Sequence, residues 1–464
     1  SLSLLAALVD KSLLRRQLNG RYEVHELARQ YAAQRLVEAQ QEVQTRHRHL
    51  DFFMLFAEAA EPQIRAGEQI VQWHEWVESE HDNLRAALDW SLSGGELEPG
   101  LRMVAALWEF WMNRGYAPEG QSQAERFLAH PEAAAYPVLR GKALHTAGVC
   151  AYYQGRYRAA LAWFAEAATI GRELGVSGRY VRAMGLIGQG YVLFSLEELD
   201  AVPALSQEAL LLGEELQVGW MKGDALYQLA RLAWQRGDYV SARQCFLESL
   251  ACVETHVMRG YVLQGLGTML GQQGNYQAAQ AYLHQSLAIH EEMGDNVRSS
   301  TTFTRLARLA MAQGNDGEAE ELLTKALILI QKTGHLRHQV ATLDAMGRLA
   351  QRQGDDGRAR TMHEESLALC IEMEDPVWLA HTLEALACLA ARQGQAEAAV
   401  RLFGATAAHA APADATLGPV WRREHDHCVA IARTHLGEAA FAAAWATGQA
   451  LSLVQAVEYA VTSP

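Results

Sequence analysis

Ten side chains of this 464-residue sequence have the chemistry to hold a ligand and are regularly placed: Tyr152, Tyr191, Phe194, Tyr227, Arg231, Trp234, Tyr261, Gln264, Arg308 and Arg348. Each stands 3, 6, 10 or 13 residues before one of a series of recurring positions, called anchors below. Offsets of that kind put side chains on one stripe of a helix. Aromatic faces stack on flat groups and attract cations, while guanidinium forks hold carboxylates or phosphates. Together they suit a peptide, a nucleotide-like compound or an acidic aromatic one. The same stripe also suits packing between neighbouring helices, and both roles stay open.

A second candidate is His425-Asp426-His427-Cys428. Two residues apart on a helix, His425 and His427 point to different faces, whereas helical metal pairs use a spacing of three or four. The cluster therefore reads as solvated surface, and no metal site is expected. The six cysteines form no CxxC pair and read as small buried residues of a reducing cytoplasm. No GxxxxGK[ST] phosphate loop or GxSxG elbow occurs, and Gly141-Lys142-Ala143 is not one. Neither catalysis nor a cofactor is expected in this chain.

The elements that must position the stripe are legible in the anchors. These are Gly155, Glu197, Gly237, Gly274, Gly314, Gly354 and Gly394, spaced 42, 40, 37, 40, 40 and 40 residues apart. Seven residues before them stand Gly148, Gly190, Ala230, Gly267, Ala307, Gly347 and Ala387. Small residues let two helices approach closely, and a turn glycine supplies the left-handed backbone that stops the first. A fixed period of this size means stacked helical hairpins. The pattern resembles the tetratricopeptide repeat, lengthened from its usual ~34 residues. The resemblance implies an all-α, right-handed α-solenoid whose first-helix stripe lines a concave groove. No Asn lies on that stripe, which argues against the carboxylate clamp of chaperone-binding members.

Around the repeats, assigned to 136–410, the chain divides into three further parts. Residues 1–40 read as helix, hairpin and helix, with Asn19-Gly20 as the turn, and suggest the end of a winged-helix domain. Lys11, Arg15, Arg16 and Arg21 either solvate that wing or face DNA phosphates. Residues 41–135 form an irregular helical arm, in which one helix ends before Pro62 and Gly115 marks a degenerate unit. After a linker at Ala410–Asp414, residues 411–464 read as three C-terminal capping helices, the first from Trp421. The sequence holds 40 Lys and Arg against 54 Asp and Glu, a net charge of −14, which argues against nucleic-acid binding by the solenoid. No apolar run reaches the ~20 residues of a membrane span, so no membrane partner is expected. The chain opens on Ser1 rather than Met, and a fragment of a longer protein is expected.

Three segments carry a wider resemblance. They are Val24-His25-Glu26-Leu27-Ala28-Arg29-Gln30-Tyr31-Ala32, the run from Glu80 to Leu88, and Leu436-Gly437-Glu438 continuing through Phe441, Trp445, Gly448 and Leu451. They are similar to bacterial STAND regulators, the signal-transducing P-loop ATPases, of MalT-like and antibiotic-regulator-like type. The resemblance implies that this chain is a winged-helix remnant plus a tetratricopeptide sensor. ATP or ADP is then expected on an upstream nucleotide-binding domain, with His25 touching its phosphate. It also implies a small-molecule, peptide or protein signal, transcription control, and oligomerisation of the full-length protein on activation. The alternative is a free-standing scaffold that binds peptide segments of partner proteins.

Overall fold

The computed structural model describes every residue except 1, 18–19, 67–68, 95, 254–257, 334, 374, 410–413 and 463–464. The expected turn residue Asn19 and the expected linker at 410–413 lie outside the described residues.

The chain begins with α1 (Leu2–Asp10), the strands β1 (Leu14–Arg16) and β2 (Tyr22–Val24), and α2 (Glu26–Glu38). The strands pair antiparallel with Leu14 opposite Val24. Arg21, offered above as a possible phosphate contact, is tied instead to Glu80 at 2.9 Å and to Ser79. The arm follows as α3 (Glu42–Ala66), α4 (Ile70–Ser79), α5 (His81–Ser93), α6 (Leu97–Ala106), α7 (Trp108–Asn113) and α8 (Ala117–Leu128).

Pro62 does not end α3, contrary to the sequence reading; the helix runs four residues past it. Proline removes one donor and crowds one carbonyl. Here that cost is offset by anchoring on both sides: Ala57, Ala60 and Ile64 are buried, and Arg65 is bonded to Glu61 at 3.0 Å.

Seven helix pairs then stack: α9 (Pro137–Tyr153) with α10 (Tyr157–Glu173), α11 (Arg179–Leu196) with α12 (Val202–Leu216), α13 (Gly219–Gln235) with α14 (Tyr239–Cys252), and α15 (Met258–Gln272) with α16 (Tyr276–Glu292). The stack continues as α17 (Asn296–Ala312) with α18 (Asp316–Gln331), α19 (Leu336–Gln353) with α20 (Asp356–Met373), and α21 (Pro376–Arg392) with α22 (Ala396–His409). Every anchor falls in the turn inside a pair. The glycine anchors take φ between 76° and 82°, and Glu197 adopts the same left-handed region at 60°. Gly115, at φ 80°, plays the same part between α7 and α8.

The small positions seven residues earlier lie at close helix contacts, within a pair at Gly148, Gly267 and Gly347 and against Gln228 of the next pair at Gly190. A Cβ on Gly347 would come within 2.5 Å of the His363 ring, and one on Gly267 within 2.9 Å of Leu283. Ala230, Ala307 and Ala387 are fully buried. The architecture is all-α and tetratricopeptide-like apart from the short hairpin. Among the described residues, no helix is long and apolar enough to cross a membrane.

The chain closes with α23 (Asp414–Leu436), α24 (Glu438–Gln449) and α25 (Leu453–Thr462). The helices α24 and α25 pack on the last repeat, with Phe441, Ala444 and Ala456 joining its apolar core. The first of the three starts at Asp414, earlier than the expected Trp421, and also reaches back to α13 and α15.

Candidate functional site

The stripes of α11, α13 and α15 stand side by side, and their rings form a ladder. Tyr191, Tyr227 and Tyr261 follow one another with centroids 6.4 Å apart at each step. The Arg231 guanidinium lies 4.1 Å over the Phe194 ring, and Trp234 Nε1 donates to Gln272 at 2.8 Å. Tyr152 accepts a hydrogen bond from Ser195 at 3.2 Å, and Gln264 donates to Thr301 and Thr302. Arg308 donates to the Ala341 carbonyl at 3.4 Å and lies 3.6 Å from Asp344. These nine residues line a single cavity of about 470 Å³. Several of them also pack between repeats: Phe194 and Tyr227 are buried in apolar cores.

Arg348, placed on the groove stripe with the others, is not part of that cavity. Its Nε donates to both oxygens of Asp344, at 3.0 and 3.1 Å, and Nη1 lies 3.6 Å from Glu424. The reason is α23, which the chain lays over the stripe in the last two units. Glu424 also lies 3.6 Å from Arg392, and His425 Nδ1 is 2.8 Å from Glu384. There the first-helix surface is already covered.

The opposite wall comes from residues far away in sequence. Arg298 Nη2 donates to the Tyr153 hydroxyl at 3.0 Å, Nη1 to Asn113 at 3.2 Å, and the Tyr153 and Tyr261 hydroxyls lie 3.2 Å apart. Arg65 of the arm reaches in between Trp108 and Trp220, its guanidinium 5.4 and 5.0 Å from their rings. His335 and His338 stack at 4.3 Å on the same wall. Some of these residues were within reach of the offset rule. Asp224 stands thirteen before Gly237, and Thr301 and Thr304 stand thirteen and ten before Gly314. Arg65, Arg298, His335 and Arg337 carry no local signal, since they enter only where the stack curves back on itself.

Burial shapes the electrostatics. It pushes the Asp224 carboxyl up to about 7 despite the hydrogen bond from the Tyr191 hydroxyl, and raises Tyr191 itself. Burial likewise lowers His335 to about 4, so its ring is neutral. For Arg298 burial works against the charge, but the adjoining Asp295 carboxylate together with the Tyr261 and Tyr153 hydroxyls more than offsets it and raises the guanidinium. His25 lies outside the cavity: exposed, it caps α2 through Nδ1, which accepts from the Leu27 amide at 3.4 Å.

The tetratricopeptide-repeat family model matches residues 222–292 and 298–372, which span α13 to α20 with the connecting turns. These units are tetratricopeptide repeats. A Mycobacterium tuberculosis protein named an HTH-type transcriptional regulator is 28% identical over 237 residues, covering 48% of this chain and 26% of that protein. Its Mycobacterium bovis counterpart matches equally. The match thus spans about a quarter of these relatives' length. The tetratricopeptide stack is also similar to the Rap conjugation gene regulator of plasmid pLS20 in complex with the Phr* peptide. That likeness has a TM-score of 0.51 at 10% identity and covers 72% of this chain and 96% of the other. A STAND protein with a tetratricopeptide sensor from Pyrococcus horikoshii gives 0.42 at 14% identity, covering 79% and 58%.

Proposed function

We propose that this chain is the signal-sensing part of a STAND-type transcription regulator. It binds its signal in the cavity of the tetratricopeptide stack and relays the event through the arm of α3–α8. The observation that carries the reading is the cavity itself, which joins the ring ladder of α11–α15 to Arg65, Trp108, Glu109 and Asn113 of the arm. A ligand touching both walls stabilises one relative position of stack and arm over another, and that differential affinity is what a switch requires. Moving a population from 1:99 to 99:1 takes about 5.5 kcal/mol of it. Several stacked rings and guanidinium groups can supply that, whereas one surface contact cannot. The HTH-type regulator among the relatives and the three segments similar to STAND proteins support the placement in transcription control.

In this reading ATP or ADP occupies a domain N-terminal to residue 1, since the sequence contains no GxxxxGK[ST] segment to cradle its phosphates. The test is signal-dependent nucleotide exchange by the full-length protein carrying Arg231→Ala or Trp234→Ala. Loss of the response in both variants supports the reading. A normal response in both moves sensing to the C-terminal helices or to a protein partner on the outer face.

A second reading is a free-standing scaffold that holds peptide segments. It is favoured by the fold shared with a Rap regulator solved with a peptide. The reading frame upstream of residue 1 separates the two: a P-loop there supports the sensor.

A further inference from the structure

Six arginines line the cavity. Four face a carboxylate: Arg65 is 3.5 Å from Glu109, Arg298 pairs with Asp295, Arg308 is 3.6 Å from Asp344, and Arg337 is 3.7 Å from Asp375. Arg231 and Arg305 have no carboxylate within 4.0 Å among the described residues. Arg231 rests on the Phe194 ring and lies 5.8 Å from the Tyr227 centroid. Arg305 donates from Nη1 to Thr268 at 3.2 Å, and its Nε is buried without a partner.

Two half-buried guanidinium groups left side by side without a counter-charge are costly, because a low-dielectric wall magnifies both desolvation and mutual repulsion. The cost is visible at Arg305, which burial lowers to about 10, with Arg308 and Arg231 adding to the effect against Tyr227. An anion between the two arginines removes it. The surrounding surface is aromatic, with Phe194, Tyr227 and Trp234 on adjoining helices. The volume of about 470 Å³ is that of a small-molecule site. Contacts such as Tyr153 to Tyr261 bridge the space that an extended chain would have to thread.

We infer that Arg231 and Arg305 are the anion subsite of this cavity and that its ligand is a small aromatic acid. Its flat ring lies against the aromatic side chains of the cavity wall, and its carboxylate or phosphate lies between the two guanidinium groups. This assignment rests on the reading of the cavity as a ligand site.

Calorimetric titration of the 464-residue chain with 2-naphthoate, 2-naphthyl phosphate and the uncharged 2-naphthamide tests it. At least one acid is expected to bind at least about tenfold more tightly than the amide, as charge-assisted hydrogen bonds imply. Which acid is preferred distinguishes a carboxylate from a phosphate ligand. Arg231→Gln and Arg305→Gln are each expected to bring the preferred acid down to the affinity of the amide. The amide affinity should stay as in the parent and the thermal melt should not fall below it, which excludes misfolding. Equal binding of acids and amide by the parent overturns the anion subsite but leaves the cavity as a ligand site. Acid selectivity that survives both substitutions overturns the assignment of these two arginines. Binding of none of the three overturns the subsite and the ligand cavity together.

Discussion

The hydroxyl of Tyr157 and the guanidinium of Arg337, 180 residues apart in sequence, are joined by a hydrogen bond of 2.6 Å. With Tyr153, Tyr261 and Arg298 it fastens the first repeat to the fourth, fifth and sixth across the inside of the stack. Removing both hydroxyls as Tyr153→Phe and Tyr157→Phe deletes these bonds while keeping the rings. Each lost bond costs about 1 kcal/mol. The expected outcome is a larger radius of gyration by small-angle scattering with unchanged helicity. An unchanged radius assigns the closure to packing alone.

Glycine seven residues before the anchor is a packing requirement. At Gly347 the neighbouring atoms belong to His363, a fully buried ring, and at Gly267 they include the Ala279 carbonyl at 3.0 Å. Neither can retreat without disturbing the next helix. Gly267→Leu and Gly347→Leu are each expected to destabilise the protein by about 1–3 kcal/mol or more. Chemical denaturation measures this directly, and midpoints equal to the parent contradict it.

Glu197 does a glycine's work at φ 60°. A side chain in the left-handed region costs about 1–2 kcal/mol, which glycine does not incur. Glu197→Gly should therefore raise the melting temperature, while the opposite exchange at a matched anchor, Gly237→Ala, should lower it. A drop in both variants shows that contacts of the Glu197 side chain outweigh its backbone strain.

Stability should fall with acid between about pH 6.5 and 4. Burial lowers His74, His290, His335 and His363 to about 4 and His145 to about 3. The unfolded chain takes up protons near the ordinary value of about 6.5 while the folded one does not. The stability these residues allow is thus complete above about 6.5 and lost as pH falls toward their folded values. Asp224 acts in the opposite sense. Raised from 3.8 to about 7, it favours folding at low pH and withdraws that support as pH climbs through this range. Glu109, Glu197 and His425 are raised too and act as Asp224 does, but the lowered histidines, with His49, His338 and His381 among them, outnumber these groups and decide the net direction. Denaturation at pH 5 and pH 7 should show the acid loss, and Asp224→Asn should gain stability at pH 8 but not at pH 4.

Much of the fold is legible in the sequence because its determinants are local and repeated. A turn residue that must take a left-handed backbone recurs near every fortieth position, and a small residue recurs one helix face away. Those two constraints fix where each helix stops and which side meets its partner. They also place Tyr191, Tyr227 and Tyr261 on one stripe, since adjacent repeats present the same offsets to the same side. The curvature of the stack is not local. It accumulates from small rotations between repeats, and it decides that Tyr153 meets Tyr261 and Arg298, and that Tyr157 meets Arg337. The fate of Arg348 belongs to the tertiary structure too. Its offset is that of Arg231 and Arg308, yet Asp344 and Glu424 of the returning α23 take its charge. Sequence determined which side chains face inward, because helical periodicity does that. Which of them still face a cavity was decided by long-range closure and by the chain's own last helices, because open space is a property of everything packed around it.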